Sequence, residues 1–154
     1  MKDDIYFKEL LDDKYMTSYQ CFEIQNMNPR NHFFFKALMN DAIRQSCEKH
    51  VDFYQLWYLT EKDDDKVYHI NSIGYKGGAL KRRDEVVVGC FLKKDEDTYI
   101  HVYKSVNNKK FPELENSDRL SVMKGGFVYR RNLDKEGLSW QVSGLRVCNR
   151  FTRP

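Results

Sequence analysis

Two nine-residue segments repeat one pattern of chemically capable residues. Lys76-Gly77-Gly78-Ala79-Leu80-Lys81-Arg82-Arg83-Asp84 and Lys124-Gly125-Gly126-Phe127-Val128-Tyr129-Arg130-Arg131-Asn132 both read K-G-G-x-x-x-R-R-[D/N]. Paired glycines let a backbone bend through positive φ and come close to another group. Adjacent arginines offer planar, permanently charged forks suited to phosphate or carboxylate. One such segment suits an anion and two suit a polyanion. Aromatic residues are interleaved with the basic ones, as Tyr103 beside Lys104 and as Phe127 and Tyr129 beside Arg130. A sheet face of that composition stacks unpaired bases while neutralising their phosphates. The residues expected to contact an acidic partner are Lys76, Lys81, Arg82, Arg83, Tyr103, Lys104, Lys124, Arg130 and Arg131.

Other constellations are weaker. Cys47-x-x-His50 has ligand-like spacing, but no second C-x-x-C or C-x-x-H pair accompanies it, so no metal site is expected. Cys90, His69 and His101 would supply nucleophile and base only if the fold brought them together. No G-x-S-x-G, Walker A, H-E-x-x-H or G-x-G-x-x-G pattern occurs, and no cofactor is implied. Cys47 and Cys90 are expected to be buried and reduced, and Cys90 sits in the most apolar segment, where burial raises a thiol pKa and lowers its reactivity.

The elements that must position these residues are an amphipathic helix and a set of strands. Asn28-Pro29 is a good opening pair, with Asn as cap and Pro in the first helical position. Phe35, Leu38, Met39, Ala42, Ile43 and Cys47 then recur at helical spacing. The chain before them, residues 1–27, reads as a docking segment in which Tyr6-Phe7 and Leu10-Leu11 suggest a turn of helix. Residues 53–60 and 67–75 read as a hairpin across the acidic turn Glu61–Asp65. Residues 85–92 are apolar on both faces, as a central strand should be. In Thr98–Ser105, Ile100 and Val102 alternate with Tyr99, His101 and Tyr103, which predicts Ile100 and Val102 inward and the rings on a wetter face. Ser121–Arg130 and Leu138–Cys148 form a last pair, in which Gly125-Gly126 would make a bulge and Leu138, Trp140 and Val142 share a face.

The expected fold class is therefore α+β: one main amphipathic helix packed on a roughly six-stranded, mainly antiparallel curved sheet. Residues 1–154 read as a single globular domain with a loose basic tail at 149–154. Gln141-Val142-Ser143-Gly144 resembles the Gln-x-Val-x-Gly hairpin of the cystatin family of cysteine-protease inhibitors. It is one residue short and falls in the expected last strand, so no inhibitory function is carried over.

Composition sets the outer limits. Of 154 residues, 41% are hydrophobic and 32% charged, which fits a globular chain rather than a disordered one. The aromatic share of 14% means that much of the core is built from rings. Residues 1–65 hold 8 Lys/Arg against 13 Asp/Glu, a net −5, while residues 66–154 hold 18 against 10, a net +8. No secretory leader or membrane-length apolar run is visible, which predicts an intracellular protein, cytoplasmic or nuclear. The leading expectation is a small non-catalytic binding protein whose basic C-terminal half engages an acidic partner, possibly single-stranded nucleic acid. The alternatives are a protein–protein adaptor with aromatic and arginine hot spots, or a small enzyme with His/Cys chemistry.

Overall fold

Strands carry most of the described residues, as the richness in Tyr, Phe, Val and Ile favours. The computed structural model describes residues 6–11, 15–25, 51–59, 66–77, 82–120, 123–133 and 139–149. They form nine strands: β1 (Tyr6–Leu11), β2 (Tyr15–Gln25), β3 (Val51–Tyr58), β4 (Lys66–Tyr75), β5 (Arg82–Asp95), β6 (Thr98–Ser105), β7 (Ser117–Arg119), β8 (Met123–Arg131) and β9 (Ser139–Asn149). Eight join one curved sheet in the order β1-β2-β9-β8-β6-β5-β4-β3, and every neighbouring pair on that path is antiparallel. The short β7 pairs parallel with the start of β5, Arg82 to Ser117 through Asp84 to Arg119.

The mainly antiparallel sheet agrees with the sequence reading, and several particulars differ. The helix opened by Asn28-Pro29 lies outside the described residues, as does Cys47. Tyr6–Leu11 is a strand rather than a helical turn, paired from Tyr6 with Cys21 to Leu11 with Met16. Strand β2 then pairs over its full length with β9, from Tyr15 with Asn149 to Gln25 with Ser139. Gly125 and Gly126 make no bulge: β8 runs in unbroken register with β6 and with β9.

The alternation in β6 is real but inverted. Tyr99 is 6% exposed, whereas Val102 is 50% exposed. A period of two fixes which residues share a face, and only the tertiary arrangement decides which face is covered. Here the ring-bearing face is the inner one. Tyr99 packs with Tyr129, Trp140 and Val142, and Phe22, Ile24 and Phe127 lean on that cluster. Trp140 meets Tyr99 edge-on at 5.6 Å between centroids. A second cluster joins Val51, Tyr54 and Ile73, and a third joins Val87 to Leu120 beside Tyr75 and Tyr103.

Glycines set the depth of the inner face. Across β4, β5, β6, β8 and β9 one row reads His69–Gly89–Tyr103–Gly125–Arg146, alternating bulky and bare. A Cβ on Gly89 would stand 2.5 Å from the His69 ring, and one on Gly144 would stand 2.5 Å from the Phe127 ring. The rings therefore lie flat across the bare positions instead of standing up into the space above. A Cβ on Gly125 would meet the Leu145 carbonyl oxygen at 2.4 Å and the Tyr103 hydroxyl at 2.8 Å, and the first of these is backbone. Gly125→Ala is expected to lower stability by about 1–3 kcal/mol through overpacking. Chemical denaturation checks this, and an unchanged midpoint would contradict the packing described.

Candidate functional site

A cavity of about 360 Å³ opens on the inner face. Seven strands contribute to it: Gln20, Phe22 and Ile24 from β2, Tyr54 from β3, His69, Asn71, Ile73 and Tyr75 from β4, Glu85, Val87 and Phe91 from β5, His101 and Tyr103 from β6, with Phe127 and Tyr129 from β8 and Arg146 from β9. Each strand supplies alternate residues, as the pleat requires. The size lies within the span of about 300–1,000 Å³ usual for small-molecule sites, and an apolar lining with a few polar groups is their usual chemistry. A second hollow of about 400 Å³ lies among loop residues Asn107–Glu113, Asp118 and Arg119, with a polar lining.

Rings form the cavity floor. Phe91 and His101 stack at 3.9 Å with 12° between planes, and His69 stacks on Phe91 at 5.4 Å. His69 lies 5.3 Å from His101, which is in turn 5.3 Å from Tyr103. The His69 pKa is lowered to about 4, because burial disfavours the charged ring. His69 and His101 thus meet on one face, while Cys90 alternates to the other, and no Cys–His pair forms between them. Burial pushes the Cys90 thiol above its ordinary pKa, against a smaller opposing influence of Lys66 and Tyr68. Cys90 is half-buried rather than buried, because its face of β5 is the outer one. Among the described residues no group of three or more His, Cys, Asp or Glu is placed to hold a metal ion.

One end of the cavity is charged. The Tyr75 hydroxyl donates to Glu85 Oε1 at 2.6 Å, and Arg146 Nη2 stands 3.8 Å from Glu85 Oε2. Burial works against the Arg146 charge, but Glu85, Tyr75, Tyr103 and Cys148 outweigh it and hold its pKa above the ordinary value. The other end carries the neutral polar groups of His69 and Asn71.

The basic residues singled out in the sequence do not form one surface. Arg82 pairs with Asp52 at 3.0 Å and donates to the Glu115 carbonyl oxygen at 3.1 Å, so its role is to hold the segment before β7. Arg83 is half-buried, opposite Tyr75 and Asp118. Arg131 pairs with Asp97 at 3.4 Å, in the turn after β5. Arg82 and Arg131 therefore sit near opposite ends of β5, whose 14 residues span roughly 40 Å. Lys104 and Lys124 are exposed and directly opposed across β6 and β8 on the outer face. Tyr103 points the other way, into the cavity, so it cannot stack a base held by Lys104. Lys76 is exposed just after β4 and Arg130 is exposed in β8, while Lys81 lies outside the described residues. Of these residues that the structure describes, only Tyr103 lines the cavity. The others that line it carried one unread signal: rings at 101, 103, 127 and 129 at alternate positions on two neighbouring strands, with Tyr103 and Phe127 opposite glycines.

Solved structures share this fold. Human STARD10 matches with a TM-score of 0.62 and 12% identity, over 96% of this chain and 63% of that one. A STAR-related lipid transfer protein fragment from Xanthomonas axonopodis matches at 0.58 and 14% identity, over 90% and 80%. Human StAR-related lipid transfer protein 5 matches at 0.58 and 10% identity, over 99% and 77%. The chain thus spans 63% of the length of the STARD10 chain. No protein-family model and no curated protein sequence matches the chain.

The curved antiparallel sheet is therefore that of the StAR-related lipid transfer fold. This overturns the expected binding of nucleic acid or another acidic partner through the basic half, and with it the adaptor alternative. The neighbours in fold are named for lipid transfer, and the inward-facing rings line a cavity instead of an exposed stacking platform. No helix among the described residues is long and apolar enough to cross a membrane.

Proposed function

We propose that this protein binds a lipid or similar hydrophobic small molecule in the inner-face cavity, with residues 1–154 acting as one ligand-binding domain. The observation that carries the reading is the cavity itself, lined by stacked Phe91 and His101 and by Phe127, which lies over the bare Gly144. Burial of apolar ligand surface drives such binding at roughly 25 cal/mol per Å². The lipid-transfer names of the proteins with this fold support the same class of ligand.

Filling the cavity should abolish uptake. Val87 lines its floor from β5 and is 4% exposed, so Val87→Trp places an indole where ligand would lie. Binding of a fluorescent fatty-chain probe is expected to fall at least about tenfold in this variant, which corresponds to about 1.4 kcal/mol. Circular dichroism should retain the strand signature. Probe binding at wild-type strength in a folded Val87→Trp protein would place the ligand elsewhere.

A further inference from the structure

The neutral end of the cavity holds polar atoms that the protein leaves unsatisfied. His69 is 0% exposed, and neither Nδ1 nor Nε2 has a hydrogen-bond partner. Two residues along the same face of β4, the buried Oδ1 of Asn71 also has none. Both side chains line the cavity. Buried polar atoms are almost always paired, and leaving one unpaired is costly. Three such atoms on one strand, in two residues that line one cavity, mark a place where a ligand's own polar group would supply partners.

The chemistry of that group follows from the three atoms. A neutral imidazole has one donor nitrogen and one acceptor nitrogen, and an amide oxygen only accepts. The burial that lowers the His69 pKa keeps the ring neutral near pH 7. A group that bridges the imidazole N–H and the Asn71 Oδ1 must accept from the first and donate to the second. A hydroxyl, with its one hydrogen, does both, while a carboxylate accepts only and would bring an unpaired charge into an apolar wall. An ammonium donates only and leaves the imidazole N–H unmet.

We propose that His69 and Asn71 are the specificity-determining polar anchor of the cavity and select hydrophobic ligands bearing an uncharged hydroxyl. The inference rests on the cavity being a hydrophobic-ligand site and assigns the ligand's head chemistry within it. The charged end, where Tyr75 bonds Glu85, is already supplied with a partner and is not needed for this recognition.

The test compares ligands with one chain and three heads. 1-Dodecanol, dodecyl methyl ether and dodecanoate are titrated at pH 7 against a bound fluorescent fatty-chain probe on the full chain. The alcohol is expected to displace the probe at about tenfold lower concentration than the ether or the carboxylate, since one more buried polar group is satisfied. In His69→Phe and in Asn71→Leu the alcohol-to-ether preference should shrink to about twofold or less, with ether binding kept or strengthened. In the wild-type protein the His69 imidazole ¹⁵N signals should move on adding the alcohol and not the ether, which decides the matter even if a variant does not fold. Equal displacement by alcohol and ether, a preference that survives both substitutions, or silent His69 signals would overturn the anchor. Probe binding reports on the cavity separately, and its absence would overturn the lipid-site reading and the anchor together.

Discussion

Arg119→Met is expected to destabilise the protein by about 3–5 kcal/mol, because it strands a buried carboxylate. Asp84 is 0% exposed, and Arg119 grips it with two parallel bonds, Nε to Oδ1 at 2.9 Å and Nη2 to Oδ2 at 2.8 Å. The Leu114 N–H adds a third bond to Oδ2 at 2.8 Å. Burial alone would raise the Asp84 pKa, but Arg119, Leu114 and Ser117 outweigh it and hold the carboxyl below its ordinary range. The same guanidinium donates to the carbonyl oxygens of Phe111 and Pro112, so it fastens residues 111–120 against β5. That segment delivers Leu120 to Val87, Tyr75 and Tyr103 at the cavity wall, so weakened ligand uptake should accompany the loss of stability. Urea denaturation measures the effect. The double substitution Asp84→Leu with Arg119→Met should recover much of the loss, since well-packed apolar pairs commonly replace buried ion pairs at little cost. A loss below about 1 kcal/mol in Arg119→Met would show that the pair is not what holds β7 in place.

Local pattern made the central strands legible, and non-local pairing hid the rest. The run from Glu85 to Leu92 reads as a doubly covered strand from its valines alone, and β5 does lie between β4 and β6. Trp140 and Val142 share the buried face that their spacing implies, at 1% and 0% exposure. Strand β2 is not legible because its stabilising partner, β9, lies more than 110 residues away, and β1 pairs only with β2. Without it, Leu10-Leu11 fits a helical turn as well as a strand. The same limit explains the site. Lys and Arg clusters advertise themselves in a sequence because they stay exposed, whereas a cavity exists only once seven strands have a register. Gly125 shows the difference: read in isolation it is a hinge or bulge, and read opposite Tyr103 it is the bare position over which a ring lies flat.

Acid should find the protein's weakest point at His69, with about 3 kcal/mol lost between pH 6.5 and pH 4 from this residue alone. The ring is neutral in the folded protein down to about pH 4 because it is buried, while in the unfolded chain it takes up a proton near its ordinary pKa of 6.5. Between those values the unfolded state binds more protons, so stability falls as pH falls and this contribution levels off below about pH 4. The stability of the wild-type protein minus that of His69→Phe should therefore drop by about 3 kcal/mol over this window, measured by urea denaturation at closely spaced pH. Carboxylates such as Asp84 titrate in both proteins and largely cancel in the difference. A constant difference from pH 7 to pH 4 would mean that His69 takes up its proton alike in the folded and unfolded states, and the burial that holds the ring neutral in the fold down to about pH 4 would then be absent.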